Sequence, residues 1–181
     1  FPELNVIKSP NYHPVKDTIR AIPHLLKYLT HIVLLLEISL LLNIIPRTPY
    51  TIYNILFLQI LVSITSFYFI YISPKTLVLN TPNQKVIAKP SKLRQLDVFT
   101  HQIPLIIMLY LYYNYIKLPI AQNQTPITPQ TIIKPKINYN IMIPFIILYI
   151  TIVDVKKLYK ISYTPLLMSL LLTILIFKFI L

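Results

Sequence analysis

Glu37 is the residue whose position most strongly suggests chemistry, because it interrupts an apolar run between a Leu-Leu-Leu and an Ile-Ser-Leu triplet. A charged carboxylate is costly in such surroundings, so an ionisable residue there indicates a functional site by default. Two interpretations stay open. Glu37 either carries protons or forms an ion pair, or it is a protonated side chain that is hydrogen-bonded to a neighbouring helix.

Asp97 and His101 form the second candidate, since a spacing of four places both on one helix face. An acid–histidine pair can carry a proton or contribute to a metal site. Two ligands are too few for a structural metal centre, and the nearby Arg94 and Lys92 offer a simple salt bridge to Asp97. We therefore favour a structural, interfacial pair. A membrane enzyme built on these residues would need further polar groups that converge on them.

The composition excludes several kinds of site. The 181 residues include no Gly, no Cys and no Trp. Without Cys there is no disulfide, thiolate nucleophile or zinc–thiolate site, and without Gly there is no P-loop or dinucleotide fingerprint. The net charge is +12, and the basic residues that produce it lie between apolar runs. This distribution fits binding to anionic lipid headgroups better than binding to nucleic acid. We expect no catalytic residue, no cofactor, no metal and no nucleic-acid partner.

The element around which these residues are organised is Thr48 to Pro74, 27 residues without a charged side chain. About 20 apolar residues cross a hydrocarbon core of ~30 Å as a helix. Similar runs predict an all-α, polytopic transmembrane bundle with spans at about 24–45, 50–73, 98–116, 137–153 and 162–181. Residues 1–21, rich in proline, are expected to form an extended interfacial arm, and 22–181 a single helical domain. Pro23 is expected to begin the first span, and 75–95 to form a basic loop.

The distribution of basic residues predicts the orientation of these five spans. Twelve of the 17 Lys and Arg side chains fall on one side of the arrangement and five on the other. Because positive charge accumulates on the inner side, the N-terminus is expected on the cytosolic or matrix-like side. The motif Asn123-Gln124-Thr125 then lies on the opposite side and matches a glycosylation acceptor, a pattern that also arises by chance.

One stretch, LDVFTHQIPLI at 96–106, carries a resemblance to a known group. Its pattern of Asp, three residues, His, two residues, Pro and then apolar residues resembles uncharacterised multi-pass membrane proteins of nucleocytoplasmic large DNA viruses. The segments 143–149 and 155–161 are similar to the closing half of those proteins, so the resemblance covers about 70–162. It implies a component of a viral or virus-remodelled membrane and carries over no activity.

The functional hypothesis is a non-enzymatic, multi-pass structural or interaction subunit of a larger membrane-bound assembly, in a viral internal membrane or a capsid-associated membrane. Its partners would be the lipid bilayer and other membrane-protein subunits. The absence of residue types with guanine-rich codons also suits an organelle genome. The alternative is therefore an organelle-encoded subunit of a mitochondrial respiratory complex or ATP synthase in the inner membrane, with Glu37 as a proton relay.

Overall fold

The computed structural model describes residues 4–25, 28–74, 76–81, 83–117, 139–153 and 163–181. The fold is predominantly helical, as the all-α prediction requires, with one small sheet that was not predicted. The elements in chain order are β1 (Leu4–Lys8), α1 (Pro14–Leu25), α2 (Leu29–Leu41), α3 (Pro49–Phe67), β2 (Leu77–Thr81), β3 (Gln84–Ala88), α4 (Pro90–Asp97), α5 (Ile103–Tyr112), α6 (Tyr139–Val153) and α7 (Thr164–Phe179).

Helix α3 lies at the centre of the molecule, and its start is encoded locally. The Thr48 hydroxyl accepts a hydrogen bond from the Thr51 N–H at 3.1 Å, and Pro49 occupies the first helical position. Both residue types are favoured there, as an N-cap and as a first helical residue. Every residue from Ile52 to Val62 is buried. A π-helical turn, Tyr68–Ile72, continues the helix, so the helix predicted over 50–73 is confirmed.

Three helices, α2, α5 and α7, pack directly against α3, and α6 adds further apolar side chains to the same core. The contact with α7 is aromatic: the Phe177 ring stands edge-on to Tyr53 at 5.0 Å and to Phe57 at 5.3 Å between centroids. Such pairs contribute about 0.5–1.5 kcal/mol each beyond the burial of their area. The Tyr112 hydroxyl donates to the Leu181 carbonyl at 2.8 Å, which fixes the chain terminus against α5.

The helix lengths support only part of the five-span prediction. Among the described residues, Pro49–Ile72 is the one helix that is long and apolar enough to cross a membrane by length and composition. Helix α2 has 13 residues and α7 has 16, and a rise of 1.5 Å per residue makes them about 20 and 24 Å long. The predicted first span, 24–45, is therefore wrong in extent, because its helix runs only from Leu29 to Leu41.

The end of α2 has an identifiable cause. Asn43 adopts a left-handed conformation with φ 57°, and the Ile44 N–H donates back to the Ser39 carbonyl at 2.8 Å. This is the usual way to terminate a helix, and Asn takes the position that Gly fills in most proteins. The Arg47 guanidinium then donates to the Leu40 carbonyl at 3.0 Å, so the last turn of α2 is satisfied.

The N-terminal region differs from the extended arm that was predicted. Leu4–Lys8 is extended, but Pro14–Leu25 is a helix. Pro14 stands at the start of that helix, where its missing N–H and fixed φ cost nothing. Pro23, expected to begin the first span, instead lies inside α1. The prediction failed because it treated the prolines of the first 21 residues as helix breakers, whereas Pro14 is the first residue of α1.

The strands Leu77–Thr81 and Gln84–Ala88 pair as a β-hairpin within the segment that was predicted to be a basic loop. The antiparallel sheet has the order β1-β3-β2, with Thr81 opposite Gln84 and Leu4 opposite Ala88. The hairpin loop is anchored by Asp17, which accepts from the Asn83 side chain at 2.9 Å and from the His13 N–H at 2.7 Å. The His13 N–H is the main cause that holds the pKa of Asp17 below its usual value, against the opposing effect of burial.

The helix predicted over 98–116 is part of a longer one. Helix α4, a π-helical turn Val98–Gln102, helix α5 and a second π-helical turn Tyr113–Lys117 follow one another without a break. The helices predicted over 137–153 and 162–181 are confirmed as α6 and α7, with slightly shorter bounds. Asn123 and the predicted loop around it lie outside the described residues, as does the basic segment that precedes α7.

Candidate functional site

The Val98–Gln102 π-helical turn builds the candidate site. Pro104 has no N–H, so the regular hydrogen-bond ladder cannot continue through it, and a wider turn forms immediately before it. The turn brings His101 Nδ1 to 2.9 Å from Asp97 Oδ1. The predicted Asp97–His101 pair is therefore present, and both residues are buried.

Asp97 accepts hydrogen bonds from several elements besides His101. The Ser66 hydroxyl of α3 donates to Oδ1 at 2.9 Å, the Gln102 amide donates to Oδ2 at 2.9 Å, and the Tyr71 hydroxyl lies 3.4 Å from Oδ2. Burial raises the pKa of Asp97, but the hydrogen bonds from His101, Gln102 and Ser66 outweigh it and hold the pKa below its usual value. Asp97 is therefore a charged hydrogen-bond acceptor in this site.

The salt bridge expected between Asp97 and Arg94 or Lys92 is replaced by other contacts. The Arg94 guanidinium stands over the Tyr71 ring, 5.6 Å from its centroid. The Lys92 ammonium donates to the Gln95 side chain at 3.0 Å. Both cations lie on the exposed side of α4, whereas Asp97 points into the bundle, so the acid is satisfied by neutral donors and by histidine.

The second ring nitrogen of His101 reaches another helix. Its Nε2 lies 3.1 Å from the Thr30 hydroxyl of α2. Because the carboxylate at Nδ1 can only accept, it selects the tautomer with Nδ1–H and leaves Nε2 as the acceptor for Thr30. The side chain of Gln59 on α3 is fully buried, and its amide donates to the His101 carbonyl at 3.0 Å. This hydrogen bond holds the Val98–Gln102 π-helical turn in place.

A cavity of about 290 Å³ opens beside this cluster. Most of its lining is apolar, and Thr30, Asp97 and His101 all face it. Its volume is at the lower end of the ~300–1,000 Å³ typical of ligand sites. A broader depression of about 490 Å³ between α6 and α7 is lined by Ile150, Thr151, Tyr163 and two leucines, and it brings no acid or histidine together with a hydroxyl.

Glu37 lies apart from this cluster. It shares the inward face of α2 with Val33 and Leu40, and its side chain is 4% exposed. Its Oε1 atom is buried and has no hydrogen-bond partner among the described residues. The two interpretations of Glu37 made from the sequence therefore both stay open. A protonated Glu37 that is hydrogen-bonded to a neighbouring helix requires a partner on that helix, and the described part of the chain provides none for Oε1.

Sequence reasoning missed most of the site. Gln59, Ser63 and Ser66 are polar positions in the apolar run of α3, and their spacing of four and three places them on one helix face. That spacing was the available signal for a polar contact. Thr30 carried no comparable signal. The described residues contain no group of three acidic or histidine side chains that could hold a metal ion, so His101 and Asp97 have no third ligand there.

Comparisons with protein-family models, with curated proteins and with solved structures give no match to this chain.

Proposed function

We propose that this chain is an integral, multi-pass membrane protein that acts as a subunit of a larger membrane-bound assembly. The observation that carries the proposal is the apolar surface that the outer helices expose, together with the polar side chains that are buried beside the apolar core. Polar side chains lie inside the bundle and large apolar side chains cover its outer helices. This arrangement suits lipid as the solvent, because polar groups in a bilayer must find their partners inside the protein.

The described buried polar residues of the helical segments come from α1, α2, α3, α4, the Val98–Gln102 turn and α7. They are Asp17, Glu37, Asn54, Gln59, Asp97, His101, Ser169 and Thr173. The large apolar residues exposed on the outer helices include Leu35, Ile38, Phe99, Ile106, Leu109, Ile141, Ile147, Leu148, Leu167, Met168, Leu171, Leu172, Leu175 and Phe179.

The outer helices carry more weight in this argument than α3 does. A long apolar helix at the centre of a protein is buried by other helices in water as well as in lipid, so its length alone does not distinguish the two solvents. Leucine-rich outer faces do distinguish lipid from water, since soluble monomers rarely expose contiguous apolar patches larger than a few hundred Å². Helix α7 exposes Leu167, Leu171 and Leu175 along one such face.

In the finer form of the proposal, five segments span the bilayer, with the N-terminus on the positive, inner side. Helices α2, α3, α5 with its flanking turns, α6 and α7 are these segments. The basic hairpin and α4 then lie at the inner surface, where Lys85, Lys89 and Arg94 meet anionic headgroups. Helix α2, at about 20 Å, is shorter than a bilayer core and requires local thinning or a covering subunit.

Topology is tested by cysteine labelling, for which the absence of native cysteine is an advantage. Single variants Lys85→Cys, Gln124→Cys and Lys157→Cys are treated with a membrane-impermeant maleimide in sealed vesicles. We expect Lys85 and Lys157 to react from one side and Gln124 from the other. Leu171→Cys is the control and should stay unlabelled in lipid. Reaction of Lys85→Cys and Gln124→Cys from the same side would rule out the five-span topology.

The role as a subunit is tested by purification in a mild detergent. We expect defined membrane proteins to purify with the chain in fixed ratio, and the identity of those proteins distinguishes a viral internal membrane from an organelle inner membrane. A chain that purifies alone and retains its thermal stability contradicts the role as a subunit while leaving the membrane topology intact.

Glu37 favours a second candidate function, a proton-conducting subunit of a respiratory complex or ATP synthase. The observation in its favour is a buried carboxyl oxygen without a hydrogen-bond partner among the described residues. In reconstituted vesicles, Glu37→Gln should abolish proton flux while Asn54→Leu, a change on α3 at another buried polar position, should not. Unchanged flux in Glu37→Gln rejects this candidate.

A further inference from the structure

We propose that Thr30, His101 and Asp97 form a nucleophile–base relay that cleaves the acyl ester of a single-chain amphiphile held in the adjacent cavity. The relay adds an activity to the proposed role as a membrane subunit. It depends on neither the number of spans nor the identity of partner proteins, so each proposal can fail without the other.

The geometry is that of an activated hydroxyl. The Thr30 hydroxyl oxygen lies 3.1 Å from His101 Nε2, and His101 Nδ1 lies 2.9 Å from Asp97 Oδ1. A hydroxyl within hydrogen-bond reach of a base, with the base oriented by a carboxylate, defines such relays irrespective of fold or chain order. The spacing of four residues pairs Asp97 with His101, whereas tertiary structure brings Thr30 of α2 to His101.

The supporting contacts hold the base in one orientation. Ser66 and Gln102 donate to the two oxygens of Asp97, which leaves Oδ1 directed at His101. Gln59 fixes the backbone carbonyl of His101 from α3. A relay needs this rigidity, because displacement by about 1 Å costs about 100-fold in rate.

The start of α2 supplies a donor for the negative charge that develops on the carbonyl oxygen. Thr30 is the second residue of α2, where backbone N–H groups have no acceptor inside the helix. The Leu29 N–H donates to the Tyr149 hydroxyl at 2.8 Å, and the His31 N–H donates to the Tyr28 carbonyl at 3.0 Å. The Thr30 N–H belongs to this first turn, at the positive end of the helix dipole, and the proposal assigns to it the stabilisation of the oxyanion.

The cavity selects the substrate class. Its remaining walls are largely apolar, with Val62, Ile70, Leu77 and Leu93 among them. A volume of about 290 Å³ accommodates one acyl chain of medium length and excludes a two-chain lipid. The polar wall of Thr30, His101 and Asp97 places the ester at one end of that chain.

The reaction balances with water as the only co-reactant. The Thr30 oxygen attacks the ester carbonyl carbon while His101 Nε2 takes the hydroxyl proton. The tetrahedral intermediate then expels the alcohol, which leaves with that proton, and an acyl–Thr30 ester remains. Water attacks this ester with His101 again as the base, and the fatty acid departs as the Thr30 hydroxyl is restored. One ester and one water give one acid and one alcohol.

The test uses the full chain in detergent with p-nitrophenyl acetate, octanoate and palmitate as substrates, and a fluorophosphonate that traps activated hydroxyls. We expect the octanoate to be cleaved fastest and the fluorophosphonate adduct to map to the peptide that contains Thr30. Thr30→Val and His101→Gln should lower hydrolysis by at least about 100-fold, whereas Thr30→Ser, which keeps a hydroxyl, should retain activity and labelling. Asp97→Asn, a positioning change, should lower kcat with little effect on KM.

The matched control is Thr151→Val on α6, whose exposed hydroxyl is bonded to the Ile147 carbonyl at 2.8 Å. It should hydrolyse and label like the wild type. Melting temperature in the same detergent distinguishes unfolded variants from inactive ones, and Thr30→Ser provides an independent comparison. Absence of the adduct at Thr30 in folded wild-type protein overturns the proposal, and so does equal hydrolysis by the wild type and a folded Thr30→Val variant.

Discussion

Asp97 and Glu37 are two carboxylates buried to the same degree, 5% and 4% exposed, in opposite surroundings. Asp97 accepts hydrogen bonds from Ser66, His101 and Gln102 on three sides. Glu37 has a buried oxygen with no partner among the described residues. Burial alone therefore says little about the role of an acid in this molecule. What distinguishes the two is the supply of donors from neighbouring elements.

The difference has structural and functional consequences. Donors that stabilise a charge fix the acid in place, so Asp97 is suited to hold His101 in one orientation. A buried carboxyl without hydrogen-bond donors is costly to keep charged. Proteins tolerate this cost at sites that transfer protons or bind a partner. Four predictions follow from the comparison, given from the largest expected effect to the smallest.

The largest effect is expected for Asp97→Leu. The change leaves the buried His101 ring and the half-buried Ser66 hydroxyl without their acceptor, although the exposed Gln102 amide can turn to solvent. Removal of one member of a buried charged pair costs about 3–5 kcal/mol. Chemical denaturation in detergent measures the change in unfolding free energy. A loss of unfolding free energy below about 1 kcal/mol would show that the hydrogen bonds of Asp97 stabilise the fold no more than the surroundings of Glu37 do.

Gln59→Leu should have an intermediate effect. It removes the donor that satisfies the His101 carbonyl from α3 and leaves that carbonyl buried, at a cost of about 1–3 kcal/mol. Asn54→Leu is the matched control on the same helix, because the Asn54 amide donates to the Tyr50 carbonyl one turn away on α3 itself. Equal unfolding free energies of the two variants would mean that the contact between α3 and the π-helical turn contributes nothing.

A third carboxylate, Asp17, extends the comparison to the small sheet. Its pKa is held below the unfolded value of about 3.9, so its contribution to stability is complete above that value and is lost as the pH falls through the folded pKa. Hydrogen exchange at the Ser9 amide, which is bonded to the Asn83 carbonyl, should report this loss after correction for intrinsic rates. Asp17→Asn should weaken protection at neutral pH and remove its acid dependence. An acid dependence that survives in Asp17→Asn assigns it to another group.

The smallest effect is expected for Glu37→Leu. Since Glu37 Oε1 has no donor to lose, an apolar side chain of similar size should change the unfolding free energy by less than about 1 kcal/mol or raise it. The same denaturation measurement applies, with Asp97→Leu as the sensitive comparison. A loss as large as that of Asp97→Leu would reveal a partner for Glu37 in the remainder of the chain.

Local sequence determined several features by itself. The start of α3 follows from Thr48 and Pro49, and the spacing of Asp97 and His101 is sufficient to pair them, because caps and i, i+4 contacts depend on residues within one turn. The hairpin had no comparable local signal. Leu77–Thr81 and Gln84–Ala88 pair in antiparallel register, but apolar and polar residues do not alternate in either strand, so the charged segment was predicted to be a loop.

Tertiary structure alone decided which groups meet. Thr30 and Ser66 lie 71 and 31 residues from their partners His101 and Asp97. No periodicity records such pairs, since their approach depends on how α2 and α3 pack beside the π-helical turn. The exposed apolar faces of the outer helices also emerge only when the helices are assembled. Apolar residues surround α2, α3, α5, α6 and α7 almost uniformly, so the sequence does not reveal which side of each helix faces inward.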